Sequence, residues 1–235
     1  GLFRVNNFLI GCLLFGDSDK VCHITEGHKG GYMERTFIRG GSSFGSITAD
    51  YCLYNLSEDW KFQYCFFAYA LLRPLYEGGG SSRYSFIDVW GSEGSYGVEL
   101  NGASSTYFTK LVSDGNQYGA VKIVDSNNAR FLFFGCIENS RLAASAEVEI
   151  SGNSQNIEFI SPALRGSGAA SGAGHPVTDA FVELGGNVVK VTDAVFATTY
   201  TQPFNNAARA YWDISGSEYP NFKTRESLIK REQLN

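Results

Sequence analysis

Methionine, proline and positive charge are all scarce in this sequence. One Met and five Pro stand among 235 residues, and 19 Lys and Arg face 24 Asp and Glu. The net charge of −5 removes the basic footprint that phosphate recognition needs, so nucleic acid is not an expected partner. No apolar run approaches the roughly 18 residues of a membrane span. The longest, Phe66 to Leu72, falls far short, and membrane insertion is not expected. The N-terminus lacks a basic stretch followed by a long apolar one, so no secretory signal is read there. It opens abruptly in strand-like sequence, which suggests a fragment of a longer chain.

Metal-binding and nucleophilic patterns are missing too. His23, His28 and His175 are the only histidines, and Cys12, Cys22, Cys52, Cys65 and Cys136 are odd in number with no CxxC spacing. Neither a metal site nor a cofactor is expected from such a set. The cysteines sit among apolar neighbours, as Cys65 does between Tyr64 and Phe66, and read as reduced core residues of a protein folded in a reducing cytoplasm. No Ser-His-Asp arrangement, phosphate loop or EF-hand loop is found.

Glycine and aromatic residues are what the sequence has in quantity: 27 Gly, and 14% Phe, Trp and Tyr. Gly supplies bends, while Phe, Tyr, Val and Ile favour strands, so many short strands between tight turns are expected. The segments Val98–Gly102, Val121–Asp125, Val148–Gly152 and Val182–Gly186 each read apolar, charged, apolar, then turn residues. Cys22 to Gly27 is a weaker, earlier member. A second apolar stretch recurs beside them: Tyr84 to Trp90, Tyr107 to Val112, Phe131 to Phe134, Ile157 to Ile160 and Val188 to Val191, with earlier versions at Phe8 to Phe15, Tyr32 to Ile38 and Trp60 to Tyr69.

One such coil cannot bury its own apolar face, but coils stacked about 4.8 Å apart pair their backbones and share an axial core. The expectation is an all-β, right-handed, single-stranded parallel β-helix of about eight coils over residues 1–215. A polar extension, 216–235, follows, in which Thr224 to Leu234 has the composition of a short helix. Leu100, Ile123, Ile150 and Leu184 should form an inward ladder, and Glu99, Lys122, Glu149 and Glu183 an outward one. A β-sandwich is the competing fold, but it more often shows hairpin turns at 8–12-residue spacing. The Gly/Ala/Ser stretch from Arg165 to His175 reads as a loop inserted within one coil. Phe62 to Leu72 is apolar on both faces, so its outer side must meet a loop, a ligand or, as preferred here, a neighbouring subunit.

In its coils Tyr84–Gly102, Tyr107–Asp125, Ala129–Gly152 and Ile157–Gly186, its Gly- and aromatic-rich texture and its free cysteines, the sequence resembles the β-helical tailspikes and capsule depolymerases of tailed bacteriophages. The resemblance is one of architecture, over roughly residues 5 to 215. It implies a homotrimer that binds, and usually cleaves, a bacterial surface polysaccharide, as a virion tail protein acting outside the cell. It carries no site motif, so site residues must be read from the chain itself.

Hydrolysis of a glycosidic bond needs two carboxylates, about 5–5.5 Å apart for retention or about 6.5–9.5 Å for inversion. Glu93, Asp114 and Glu138 fall at bends after the second apolar stretch, where they are expected to stack, and Asp88 lies two residues before Trp90. Bend acids often serve only the turn. Stacked acids, however, raise one another's pKa, which suits a general acid. For the sugar itself, Trp90, Tyr96, Tyr118 and Arg141 are the binding candidates, with Trp60, Tyr54, Tyr69, Tyr76 and Trp212 as further rings. A non-catalytic receptor-binding fibre uses the same aromatic surface without cleavage. A lyase or epimerase would want an Asp cluster for calcium beside an Arg base, and no such cluster is evident.

Overall fold

A computed structural model describes residues 7–16, 19–27, 29–42, 45–93, 96–137, 139, 146–165, 179–196, 200, 202–206 and 211–215. The inserted Gly/Ala/Ser loop, the terminal extension, Glu138 and Arg141 lie outside these residues. Every pairing between the named strands is parallel, and no helix is found among the described residues. The chain is a parallel β-helix.

Each coil has three walls. The first runs through strands Asn7–Ile10, Lys29–Glu34 and Glu58–Gln63 to Tyr211–Ser215, and the second through Leu13–Phe15, Phe37–Arg39 and Phe66–Ala70 to Val195–Phe196. In Arg83–Ser92 and Tyr107–Asp114 the two join as one continuous strand bent in the middle. The third wall is an eight-stranded sheet from Lys20–Ile24 to Gln202–Asn206.

Corners follow from backbone conformation. Between the first two walls, Arg35, Tyr64, Phe86, Lys110, Phe133, Ser161 and Asp193 all have φ near +50 to +60°, one in each successive coil. Left-handed residues other than Gly are uncommon, and stacking seven of them makes a single sharp edge. Their side chains necessarily point away from the axis, which leaves Tyr64, Phe86 and Phe133 exposed.

The core is a column of rings. Met33, Phe62, Tyr84, Phe108, Phe131 and Phe159 stand in register on the first wall. Neighbouring rings from Phe62 to Phe159 are nearly parallel with centroids 4.6–4.8 Å apart. That spacing is the coil repeat itself, so stacking and backbone pairing reinforce each other. At the corner between the second and third walls, Asn116 accepts from Ser92 N, and Asn139 accepts from both the backbone and side chain of Asn116.

The inward ladder of the third wall departs from expectation at its last member. Leu100, Ile123 and Ile150 face inward as expected, but Val148 pairs with Phe181 and Ile150 with Glu183. The repeat therefore begins one residue earlier than Val182. Leu184 points out, 46% exposed, and Glu183 is fully buried. The cause lies in the turn: the Glu183 carboxylate accepts from Gly185 N, Gly186 N and Asn187 Nδ2. Glu77 occupies the same column and accepts from Asn55 Nδ2, Gly79 N and the Tyr84 hydroxyl. Alternation alone could not reveal this, because a glutamate that caps a glycine turn from inside reads like an outward charge.

The outer side of the two-faced stretch Phe62 to Leu72 packs in part on neighbouring coils. Phe62 and Phe67 enter the core, and Tyr64 turns the corner. Outside, Phe66 stacks on Phe37 at 4.8 Å, Tyr64 on Phe86 at 4.8 Å, and Tyr69 packs on Trp90 at 5.0 Å. Adjacent coils cover much of this face. None of the five cysteines is in a disulfide: Cys52, Cys65 and Cys136 are buried, while Cys12 and Cys22 are half-buried.

Candidate functional site

The outer face of the second wall gathers three of the sequence candidates. Asp88 is in register with Val112, and two residues along the same strands Trp90 is in register with Asp114. All four project outward, so they form a block with the carboxylates at opposite corners. A coil spacing of ~4.8 Å and a rise of ~3.3 Å per residue put the two Asp Cα atoms about 8 Å apart. Trp90 adjoins both, two residues beyond Asp88 along its strand and beside Asp114 on the next coil. Asp88 is exposed, yet partial desolvation by its neighbours pushes its carboxyl above its ordinary range, and Lys110 pulls it partly back.

The expected stacking of Glu93, Asp114 and Glu138 does not hold for the described pair. Asp114 sits beside Trp90 on one side and Ile137 on the other, while Glu93 comes three residues after Trp90. The strand Arg83–Ser92 runs on past the point where Tyr107–Asp114 turns, so bends with similar sequence lie at different heights along the wall. Glu93 instead accepts from Gly45 N at 2.5 Å, tying down the loop beyond Arg39. Glu138 and Arg141 lie outside the described residues.

The rings sort by exposure. Trp60 is 6% exposed, with its Nε1 donating to Ser57, and Tyr96 is 4% exposed, with its hydroxyl donating to Glu149, so neither offers an open face. Tyr118 is exposed on the turn that leads into the third wall. Tyr54 and Tyr76 stack on each other on the third wall, away from the acid pair. Trp90 is half-buried and supported on two sides. Tyr69 packs against one, and Gly115 gives room on the other, where a Cβ would stand 2.5 Å from the indole Nε1.

Two further side chains complete this surface, and the sequence reading missed both. Arg39 lies over the rings of Phe37 and Tyr69, 5.5 and 5.0 Å from their centroids. Its Nε donates to Gly41 O and its Nη2 to Ser42 O, so the guanidinium is held in place by the loop. Lys110 lies over Phe86 and borders a groove of about 270 Å³ with Tyr64, Phe66, Phe86 and Asp88. Alignment of Phe37-Ile38-Arg39 with Phe66-Phe67-Ala68 and Asp88-Val89-Trp90 would have found Arg39, had the corner been located first. Among the described residues, no group of three or more His, Cys, Asp or Glu is placed to hold a metal ion.

This outer wall, rings flanked by a carboxylate pair and cations on a parallel β-helix, is a surface suited to a carbohydrate chain. No family model and no curated protein matches the sequence. Among solved structures, the chain is similar to tailspike protein 2 of the Escherichia coli O157:H7 bacteriophage CAB120, with a TM-score of 0.70 at 11% identity. That match covers 93% of this chain and 30% of the tailspike. A looser likeness, TM-score 0.47 at 9% identity, joins it to the catalytic unit of an α-1,3-glucanase from Streptomyces thermodiastaticus, over 91% of this chain and 47% of that one. The tailspike likeness establishes the fold. The chain spans about a third of the tailspike's length.

Proposed function

We propose that this chain is the β-helix module of a phage tailspike or depolymerase, which binds and hydrolyses a bacterial surface polysaccharide, capsule or O-antigen, during host recognition. The observation that carries the reading is the Asp88, Trp90 and Asp114 block on the second wall. The tailspike fold supports the setting: a virion tail protein, folded in the host cytoplasm and acting outside the cell.

The chemistry follows from the spacing. The two Cα positions are about 8 Å apart, and outward carboxyl groups at a like separation would leave room for a water molecule, so inversion is the expected course. Asp88, whose partial desolvation favours the protonated form, donates its proton to the glycosidic oxygen as the C–O bond breaks. Asp114 takes a proton from the water that attacks the anomeric carbon. Trp90 and Tyr69 supply the flat faces on which sugar rings lie.

Homotrimer formation belongs to the same proposal. Phe8, Ile10, Leu13 and Phe15 are 56–68% exposed on the outer side of the first described coil, and burying such side chains is worth roughly 1.5–3 kcal/mol each. Sedimentation should give three times the 25.7 kDa chain mass, and a monomer at micromolar concentration would contradict the trimer.

Incubation with surface polysaccharide from the host decides the activity. New reducing ends support the hydrolase. Unsaturated uronate absorbance would assign a lyase instead, and binding without shortening would leave a receptor-binding module.

A further inference from the structure

On the outer side of the first wall, one column changes character along the stack. Lys61, Arg83, Tyr107, Arg130, Glu158 and Lys190 stand in register on successive coils. In its later part the cations are paired: Glu158 bridges Arg130 at 2.7 Å and Lys190 at 3.1 Å. In its earlier part, two cations meet across one coil spacing. Among the described residues, no carboxylate lies within ion-pair distance of Lys61 or Arg83. Like charges placed side by side repel, and the fold does not demand them here, since Tyr32 precedes Lys61 in the same column and Tyr107 follows Arg83.

The pair borders a groove of about 400 Å³, lined also by Asp59, Ser81, Ser105 and Tyr107. Two cations against one carboxylate leave a net positive charge suited to one anionic group at a time. The serine hydroxyls are further donors, and Tyr107, 39% exposed, offers an apolar side. Around the corner on the same coils lie Asp88 and Trp90, with Arg39 and Lys110 resting on rings. The wall is thus locally cationic in a protein of net charge −5.

We infer that Lys61 and Arg83, with Ser81, Ser105 and Tyr107, form a seat for a carboxylate or comparable fixed charge on the polymer, which makes the substrate an acidic polysaccharide. This rests on the carbohydrate-degrading reading above.

Two measurements on the whole chain test it. The first titrates inorganic sulfate at constant ionic strength and follows amide shifts at Ser81, Arg83, Ser105 and Tyr107. The seat predicts saturating shifts that vanish in Arg83→Gln and persist in Lys190→Gln. Linear drift without saturation overturns it. The second is affinity electrophoresis in gels holding uronate-containing or neutral bacterial surface polysaccharides. Retardation by acidic polymers, weakened at least tenfold in K61Q/R83Q, is the expected result. Retardation by neutral polymers alone overturns the inference while leaving carbohydrate binding intact. Retardation by neither overturns the carbohydrate reading and the substrate class with it.

Discussion

Trp90 can lie against the second wall because position 115 has no Cβ. Gly115 also holds φ at +64°, a conformation that penalises any L side chain. Gly115→Ala therefore meets both the indole and the backbone, and should cost about 1–3 kcal/mol. The expected readout is a lowered Tm together with weakened polysaccharide binding and a changed indole fluorescence, and an unchanged Tm would contradict this placement. Tyr69 has φ +58° in the same part of the coil, where the next two coils use Gly91 and Gly115. A tyrosine held there, against Arg39 and Trp90, is strain spent at the proposed site. At this scale the sequence was informative about Trp90, Asp88 and Asp114 but silent on what surrounds them. The corner residues Phe86 and Lys110 carry no sign of a left-handed backbone, since a sequence reading expects Gly at such bends.

Among the elements, the aromatic column does most to hold coils together, because each ring touches the coil above and the coil below. Phe108 is fully buried between Tyr84 and Phe131, so Phe108→Ala opens a cavity and breaks two stacks. A loss of about 3–5 kcal/mol is expected from denaturant unfolding. Substitution of the outward Phe133, 59% exposed, should cost less than 1 kcal/mol in the same assay. The repeat units of the third wall were legible as strands from their alternation at Val98, Val121 and Val148. The fourth slipped by one residue because Phe181 and Glu183 satisfy the pattern only when the buried carboxylate is allowed for. Glu93 and Asp114 do not stack for a related reason: strands of unequal length shift the bends, so residues alike in sequence context need not be neighbours in space.

The whole molecule hides carboxyls in its interior. Burial raises Glu77 from 4.5 to about 7, against the lowering effect of the hydrogen bonds it accepts, and Glu147, whose buried oxygens have no hydrogen-bond partner among the described residues, from 4.5 to about 8. A carboxyl with a higher pKa in the folded chain than in the unfolded one binds its proton more tightly when folded. Stability is then greatest below about pH 4.5 for these groups and declines as pH rises toward 7 and 8. Tm should fall between about pH 5 and pH 8.5, and Glu147→Gln should flatten the upper part of that fall. A Tm that rises across this window would contradict it. The same reasoning places Asp88 in its protonated form over a wider range, so cleavage should weaken on the alkaline side.

Release of reducing ends by wild type, Asp88→Asn and Asp114→Asn, with the product anomer read by proton NMR, tests the acid pair most directly. Inverted product is expected from the wild type, and a loss of roughly a hundredfold or more in either variant with polysaccharide binding retained. Full cleavage by both variants, or a retained anomer, would contradict it.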